Sequence, residues 1–272
     1  TTIDSESEGI NYCVLIYTAA TFDNADGTIT LTGPPSRIYF QDASPKPHNL
    51  TVNTSNTIDL GSNLSIEGDL IIAAGTLTTF NGSTHYALTV TGDTTSSDAP
   101  LTVTGAIDIT GTLEGNASAI SAGGLRVNDT GIFNAPTSAG SCSITGELSS
   151  HAFRISGGGT LNNNDGTITF LNVNSRLTMN GTGNIHNLIL NHASCHIMLN
   201  SDGTTTVEGD LTITLGQLTT EPEGGGTSKN LTVTGDVSVT GTLTGNASAI
   251  ELGSLTIADG GTYSTTSGTT TL

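Results

Sequence analysis

Apolar and polar residues alternate along this chain in runs of about five positions, each closed by glycine. Leu101-Thr-Val-Thr-Gly105, Ile107-Asp-Ile-Thr-Gly111 and Leu231-Thr-Val-Thr-Gly235 all follow the pattern. A period of two sends successive side chains to opposite faces of an extended backbone, so each run predicts a short, half-buried strand ending in a turn. Leu101, Val103, Ile107 and Ile109 then point inward and the threonines face water. The longest apolar stretch, Val14-Leu15-Ile16-Tyr17, falls far short of the ~18 residues of a membrane span.

The runs belong to a larger repetition. Leu101 to Gly105 and Gly111 to Ile120 recur as Leu231 to Gly235 and Gly241 to Ile250, 130 positions later. Gly123, Leu125 and Phe133 then match Gly253, Leu255 and Tyr263. Ile66-Glu-Gly-Asp-Leu70 matches Val207-Glu-Gly-Asp-Leu211 at 141 positions, and Asp26-Gly-Thr-Ile-Thr30 matches Asp165-Gly-Thr-Ile-Thr169 at 139. The chain therefore divides into two tandem modules, 1–143 and 144–272, the first carrying an extra segment from Thr94 to Pro100. Strand starts recur after about 20 to 24 residues (Leu64 and Leu88, Leu101 and Leu125, Leu211 and Leu231, Leu231 and Leu255), the length of one solenoid coil. At ~22 residues per coil the chain holds about a dozen.

The expected fold is all-β, a parallel β-solenoid or β-helix of short coils forming one continuous rod. Strands on successive coils pair with each other, a narrow apolar column fills the axis, and Gly, Asn and Asp turn the corners. A pair of immunoglobulin-like sandwiches is the competing architecture. It calls for longer strands, a buried aromatic and turns every 8 to 12 residues.

Composition agrees. The 272 residues include 35 Gly, no Trp, 4% aromatic and 11% charged residues, against about a quarter charged in ordinary domains. That excludes a typical helical or α/β enzyme and leaves almost no helix. Six basic against 24 acidic residues give a net charge of −18, which repels phosphate backbones and anionic lipid, so neither nucleic acid nor membrane insertion is expected. Cys13, Cys142 and Cys195 cannot form a closed disulfide framework; one bridge with a spare thiol, or three buried thiols, both fit. The chain opens on Thr1-Thr2 without a leader, as a processed mature protein or an excised fragment would. The low-charge, Thr/Asn/Gly-rich make-up points outside the cell or to its surface.

The succession Asn24-Ala-Asp-Gly-Thr-Ile-Thr-Leu-Thr-Gly33, His48-Asn-Leu-Thr-Val52, Leu64-Ser-Ile-Glu-Gly-Asp-Leu70 and Leu88-Thr-Val-Thr-Gly-Asp93 resembles the degenerate repeats of microbial cell-surface proteins with β-helical, adhesin-like stalks. Thr240-Gly-Thr-Leu-Thr-Gly-Asn-Ala-Ser248 is similar to segments of phage tail-fibre proteins. The resemblance implies an extracellular structural or adhesive role and transfers no catalytic residues.

Candidate chemistry is sparse. The basic residues Arg37, Lys46, Arg126, Arg154, Arg176 and Lys229 are scattered, whereas cleavage of acidic polysaccharides needs carboxylates clustered with cations. Arg37 and Arg176 hold equivalent repeat positions, as structural residues would. His186, His192, Cys195 and His196 are the densest potential metal ligands; in an extended strand His192 and His196 share a face, but the spacing matches no familiar zinc pattern. Asp23–Gly27 and Asn162–Gly166 faintly resemble calcium loops, yet Phe22 and Leu161 stand where the first ligand belongs, so both read as turns. No catalytic residue, metal ligand or cofactor is therefore assigned, and no enzyme is expected.

Sequons occur at Asn49, Asn53, Asn63, Asn81, Asn116, Asn128, Asn180, Asn230 and Asn246 and are glycosylation candidates; Asn116 and Asn246 match because the Gly-Asn-Ala turn is itself repeated. The two ends, Thr1, Thr2 and Ile3 with Thr269, Thr270, Thr271 and Leu272, lie at similar repeat phase. They suit axial self-association, head to tail, into an open fibre. The expected function is an extracellular filament subunit, with an adhesin or phage-fibre stalk gripping a glycan or cell surface as the alternative.

Overall fold

The computed structural model describes residues 2–3, 12–16, 26–40, 47–78, 88–90, 94–96, 101–146, 151–171, 174–222 and 224–272. Among them no helix forms, and the strands pair in parallel from turn to turn of a β-solenoid. Parallel neighbours a full turn apart satisfy one another's backbone groups, which is how strands of three to five residues remain stable.

The solenoid has three sides, visited in fixed order. On the first, residues 49–52, 70–72, 94–96, 112–114, 132–134 and 160–162 stack in sequence. Isolated bridges Thr160↔Thr182 and Ile185↔Val207 carry this side on to Thr205–Val207, Leu231–Val233, Ala249–Leu252 and Thr269–Thr271. The second side runs from Tyr12–Ile16 and Ser36–Phe40 through 101–103, Ser141–Ile144 and 187–190 to Thr256–Ile257. The third runs from Leu64–Ile66 through Leu88–Val90, 106–109, Phe153–Ile155 and 196–199 to Thr262–Thr265. About ten turns have all three sides described. The pairing crosses residue 143 without interruption: Ser143 is in register with Ser121 on one neighbour and Thr169 on the other.

Strands follow the predicted phase. Leu101, Val103, Ile107 and Ile109 are buried, as are Leu231 and Val233, while Thr102 and Thr232 lie at the surface between them. The apolar column is one continuous cluster from Val14 to Leu252. Its bulkiest part is Phe133, Phe153 and Phe170, with the first two rings tilted at 6.4 Å. Each fully buried Leu or Ile contributes roughly 1.5–3 kcal/mol, so stability is spread along the rod rather than concentrated at one centre.

Two expectations need correction. Leu64 does stack on Leu88, but Leu101 stacks on Ile120, Leu211 on Val237 and Leu231 on Ile250. An aliphatic residue opens strands on every side, so leucine spacing does not identify stacked partners. The residues per turn also vary, from 18 between Asp108 and Arg126 to 28 between Asn134 and Asn162. Nor do the duplicated stretches form equivalent coils. Residues 101–103 lie on the second side and Leu231–Val233 on the first; residues 28–31 lie on the first side and Thr167–Phe170 on the second. None of these separations is a whole number of turns, because the repeating unit is one strand and its corner.

Candidate functional site

The corners show how locally the sequence acts. In His48-Asn49-Leu50 the His48 carbonyl accepts from Gly68 N–H at 2.7 Å, and Asn49 Oδ1 accepts from Asp69 N–H at 2.8 Å, one turn on. His186-Asn187-Leu188 repeats both bonds, to Gly209 at 2.8 Å and Asp210 at 2.9 Å, at a corner leading into a different side. His48 Nε2 lies 3.8 Å from Asp26 Oδ1, and His186 Nδ1 lies 3.6 Å from Asp165 Oδ1. Both Glu208 oxygens accept amide N–H bonds, Oε1 from Asn184 and Oε2 from Asn163, and these bonds hold its carboxyl below the usual value. The expected turn at residues 162–166 is present: Asn164 and Asp165 have φ of 48° and 56°.

The sequons divide by environment. Asn53, Asn63, Asn116 and Asn230 are exposed, whereas Asn49, Asn128, Asn180 and Asn246 are half-buried. The amide nitrogens of Asn49, Asn180 and Asn246 donate to the Asp26 carbonyl, Asp202 Oδ2 and Thr219 Oγ1. Asn81 lies outside the described residues. Asn116 and Asn246 have nearly identical left-handed φ of 47° and 46°, so the matched Gly-Asn-Ala segments do make the same turn.

Of the end residues, Thr2 and Ile3 pair with Thr30 and Leu31, while Thr1 lies outside the described residues. Thr269, Thr270 and Thr271 pair with Ala249, Ile250 and Glu251 and are exposed, as is Leu272. Tyr263 and Thr270 stand over the buried Leu243 and Ile250, and their hydroxyls hydrogen-bond to each other.

The basic residues sit on different sides. Arg37 stands 3.6 Å from Asp59 on the second side; on the third, Arg126 binds Asp108 through two nitrogens at 2.7 and 2.8 Å, with Arg154 in register beyond it. Arg176, opposite Met198, is on the third side, so Arg37 and Arg176 do not occupy the same face. Lys229 is half-buried in the corner before Leu231–Val233, and Lys46 lies outside the described residues.

All three cysteines are free thiols. Cys142 is stacked between Ile120 and Ile168 in the core, and burial pushes its pKa up to about 12. Cys13 is half-buried and Cys195 buried. His192 and His196 do not share one strand face, because the strand Asn187–Leu199 turns a corner between them: Asn191 pairs with Leu215 and His196 with Gln217. Cys195 points inward and His192 is exposed. Among the described residues no group of three His, Cys, Asp or Glu side chains converges to hold a metal ion.

A groove that the residue pattern did not predict lies on the third side. One cavity, of about 410 Å³, runs along the corner from Ala193–His196 past Leu215–Gln217 and Gly241–Thr242 to Gly260, touching four successive turns. A second, of about 320 Å³, lies between His196, Met198, Gln217, Thr219, Thr244 and Asn246, walled by Glu221, Pro222, Gly224 and Gly225. His196 and Gln217 line both. The left-handed φ of 85° at Gly216 lets the corner turn tightly, where a Cβ would meet the Cys195 carbonyl oxygen at 2.3 Å. His196 Nε2 is buried and has no hydrogen-bond partner. The signal available in the sequence was the long corner segment Glu221-Pro-Glu-Gly-Gly-Gly-Thr-Ser-Lys229, which interrupts the short-turn rhythm. Comparisons of the chain with protein-family models, curated proteins and solved structures returned no match.

Proposed function

We propose that the chain is an extracellular structural protein, a β-solenoid subunit that stacks head to tail into a surface filament. The observation that carries this reading is the parallel turn-to-turn pairing on three sides around one apolar column, a construction that can be lengthened without changing its cross-section. The threonine- and asparagine-rich exterior and the charge of −18 suit a hydrated rod that resists lateral clumping.

Light scattering and electron microscopy of the purified chain test the proposal. Concentration-dependent growth into unbranched filaments is the expected result. A stable monomer at high concentration without filaments refutes it.

A further inference from the structure

We infer that Asp259 is a site of spontaneous backbone isomerisation, passing through a cyclic imide to an isoaspartyl residue. The proposal is independent of stacking, since the reaction needs only this corner and water.

A glycine that follows aspartate or asparagine lets its amide nitrogen reach the side-chain carbonyl carbon, because no Cβ stands in the way. The chain contains such steps at Asp26-Gly27, Asn81-Gly82, Asp165-Gly166, Asn180-Gly181, Asp202-Gly203 and Asp259-Gly260. Asn81 and Gly82 lie outside the described residues.

The fold restrains most of the others. The carbonyls of Asp26 and Gly27 both accept from Asn49, and the Asp26 carboxylate lies 3.8 Å from His48 Nε2. Gly166 N–H, the nucleophile of its step, donates to the Asn163 carbonyl at 2.8 Å. Asn180 and Asp202 clasp each other: Asn180 Nδ2 donates to Asp202 Oδ2, and Asn180 Oδ1 accepts from Asp202 N–H, both at 2.7 Å.

Asp259 has no such restraint. It is exposed, and among the described residues neither its carboxylate nor Gly260 N–H has a hydrogen-bond partner. The corner is pinned on both shoulders, by Ala258 N–H donating to the Val239 carbonyl at 3.0 Å and Thr262 N–H to the Gly241 carbonyl at 2.8 Å. Between them Gly261 N–H closes the turn on the Ala258 carbonyl at 2.9 Å. Gly260 has a left-handed φ of 85°, and a Cβ built on it would meet nothing within 4 Å. The apex therefore projects into open space and can rotate while both shoulders stay bonded, as exposed loop tips do.

The chemistry balances with water alone. Gly260 nitrogen attacks Asp259 Cγ; the N–Cγ bond forms, the Cγ–O bond breaks, and the hydroxyl leaves with the amide proton as water. Water then adds back at either imide carbonyl. Cleavage at Cγ restores aspartate. Cleavage at the backbone carbonyl leaves the main chain running through Cγ, lengthened by one methylene and carrying a free α-carboxylate.

The test ages the purified chain at neutral pH and physiological temperature. Isoaspartyl residues are then labelled with an isoaspartyl-specific carboxyl methyltransferase and located by electron-transfer fragmentation of the peptides. Labelling should rise with time and map to Asp259, about tenfold or more above the other described steps, the factor that one hydrogen bond to a charged group is worth. Asp259→Glu, which must close a larger ring, should abolish that labelling with circular dichroism matching the parent. Asn180→Ala should let Asp202 react at a rate approaching that of Asp259, since a Cβ on Gly203 also would meet nothing within 4 Å. An Asp259 that stays aspartyl, labelling shared evenly among the described steps, or an Asp202 left unchanged by Asn180→Ala overturns the inference.

Discussion

Replacing Leu231 by aspartate tests the phase of the whole solenoid. Leu231 is fully buried on the first side, stacked between Thr205 and Ile250. Removing it forfeits roughly 1.5–3 kcal/mol of transfer free energy. A carboxyl group in the same space, even one that stays protonated, adds about 1–3 kcal/mol for an unpaired polar group. The expected loss is therefore about 2.5–6 kcal/mol, reaching the range reserved for a buried charge or a cavity. Thr232, one position on, lies between Thr206 and Glu251 at the surface. Thr232→Asp should cost only about 0.2–1 kcal/mol, because it sets a carboxylate opposite Glu251, and Thr232→Lys should cost less still. Urea titration followed by circular dichroism measures the global difference. Hydrogen exchange adds its location: Leu231→Asp should speed exchange around Val207 and Ile250 and leave the strands at residues 120–127, 141–144 and 153–155 protected, since a solenoid sums local stabilities. Equal losses for Leu231→Asp and Thr232→Asp would refute the assigned phase, because a one-residue slip exchanges inside for outside.

Other outcomes follow from individual sites. Asn116→Ala should cost about 1–2 kcal/mol and Asn116→Gly much less, as judged by melting, because the left-handed φ of 47° penalises a Cβ without a compensating polar side chain. Asp108→Ala should destabilise more than Arg126→Ala, since it leaves Arg126 facing Arg154 alone; salt should narrow the gap in melting temperature. The Cys142 thiol, with a pKa pushed up to about 12 by burial, stays protonated in the fold where an unfolded thiol would ionise. Its contribution is fully present below the unfolded value near 8.5 and is lost as pH rises from there toward about 12, so Cys142→Ala should flatten the alkaline limb of the stability curve. The same thiol should resist maleimide until the chain is denatured. Glu208, whose carboxyl is held low by Asn184 and Asn163, contributes stability above the ordinary carboxylate range that is lost as pH falls through its depressed value; Glu208→Gln should remove that acid-side dependence in melts.

The period-two alternation identified the inward residues of Leu101–Ile109 and Leu231–Val233 because strand geometry leaves no other assignment. The solenoid was legible for the same reason, each run being too short to persist without neighbours. Stacking partners were not legible. Leu101 and Leu125 look as equivalent as Leu64 and Leu88, and only the lengths of the intervening corners decide which pairs meet. The His196 groove was hidden for a related reason. It depends on the corner between His192 and His196 and on the segment after Thr220, where local sequence pattern says little about how far a backbone bulges.

A repeat unit of one strand and its corner changes what duplication does to such a protein. Copying a single unit leaves every ladder intact, yet it swings all the following sequence through a third of a revolution about the axis. The His-Asn-Leu corners around residues 48 and 186 are one such case, the same surface feature displayed at two bearings. Lineages gaining or losing units one at a time would therefore scatter a surface motif around the rod like the treads of a spiral stair. A motif copied in multiples of three would instead build a straight stripe along one flank.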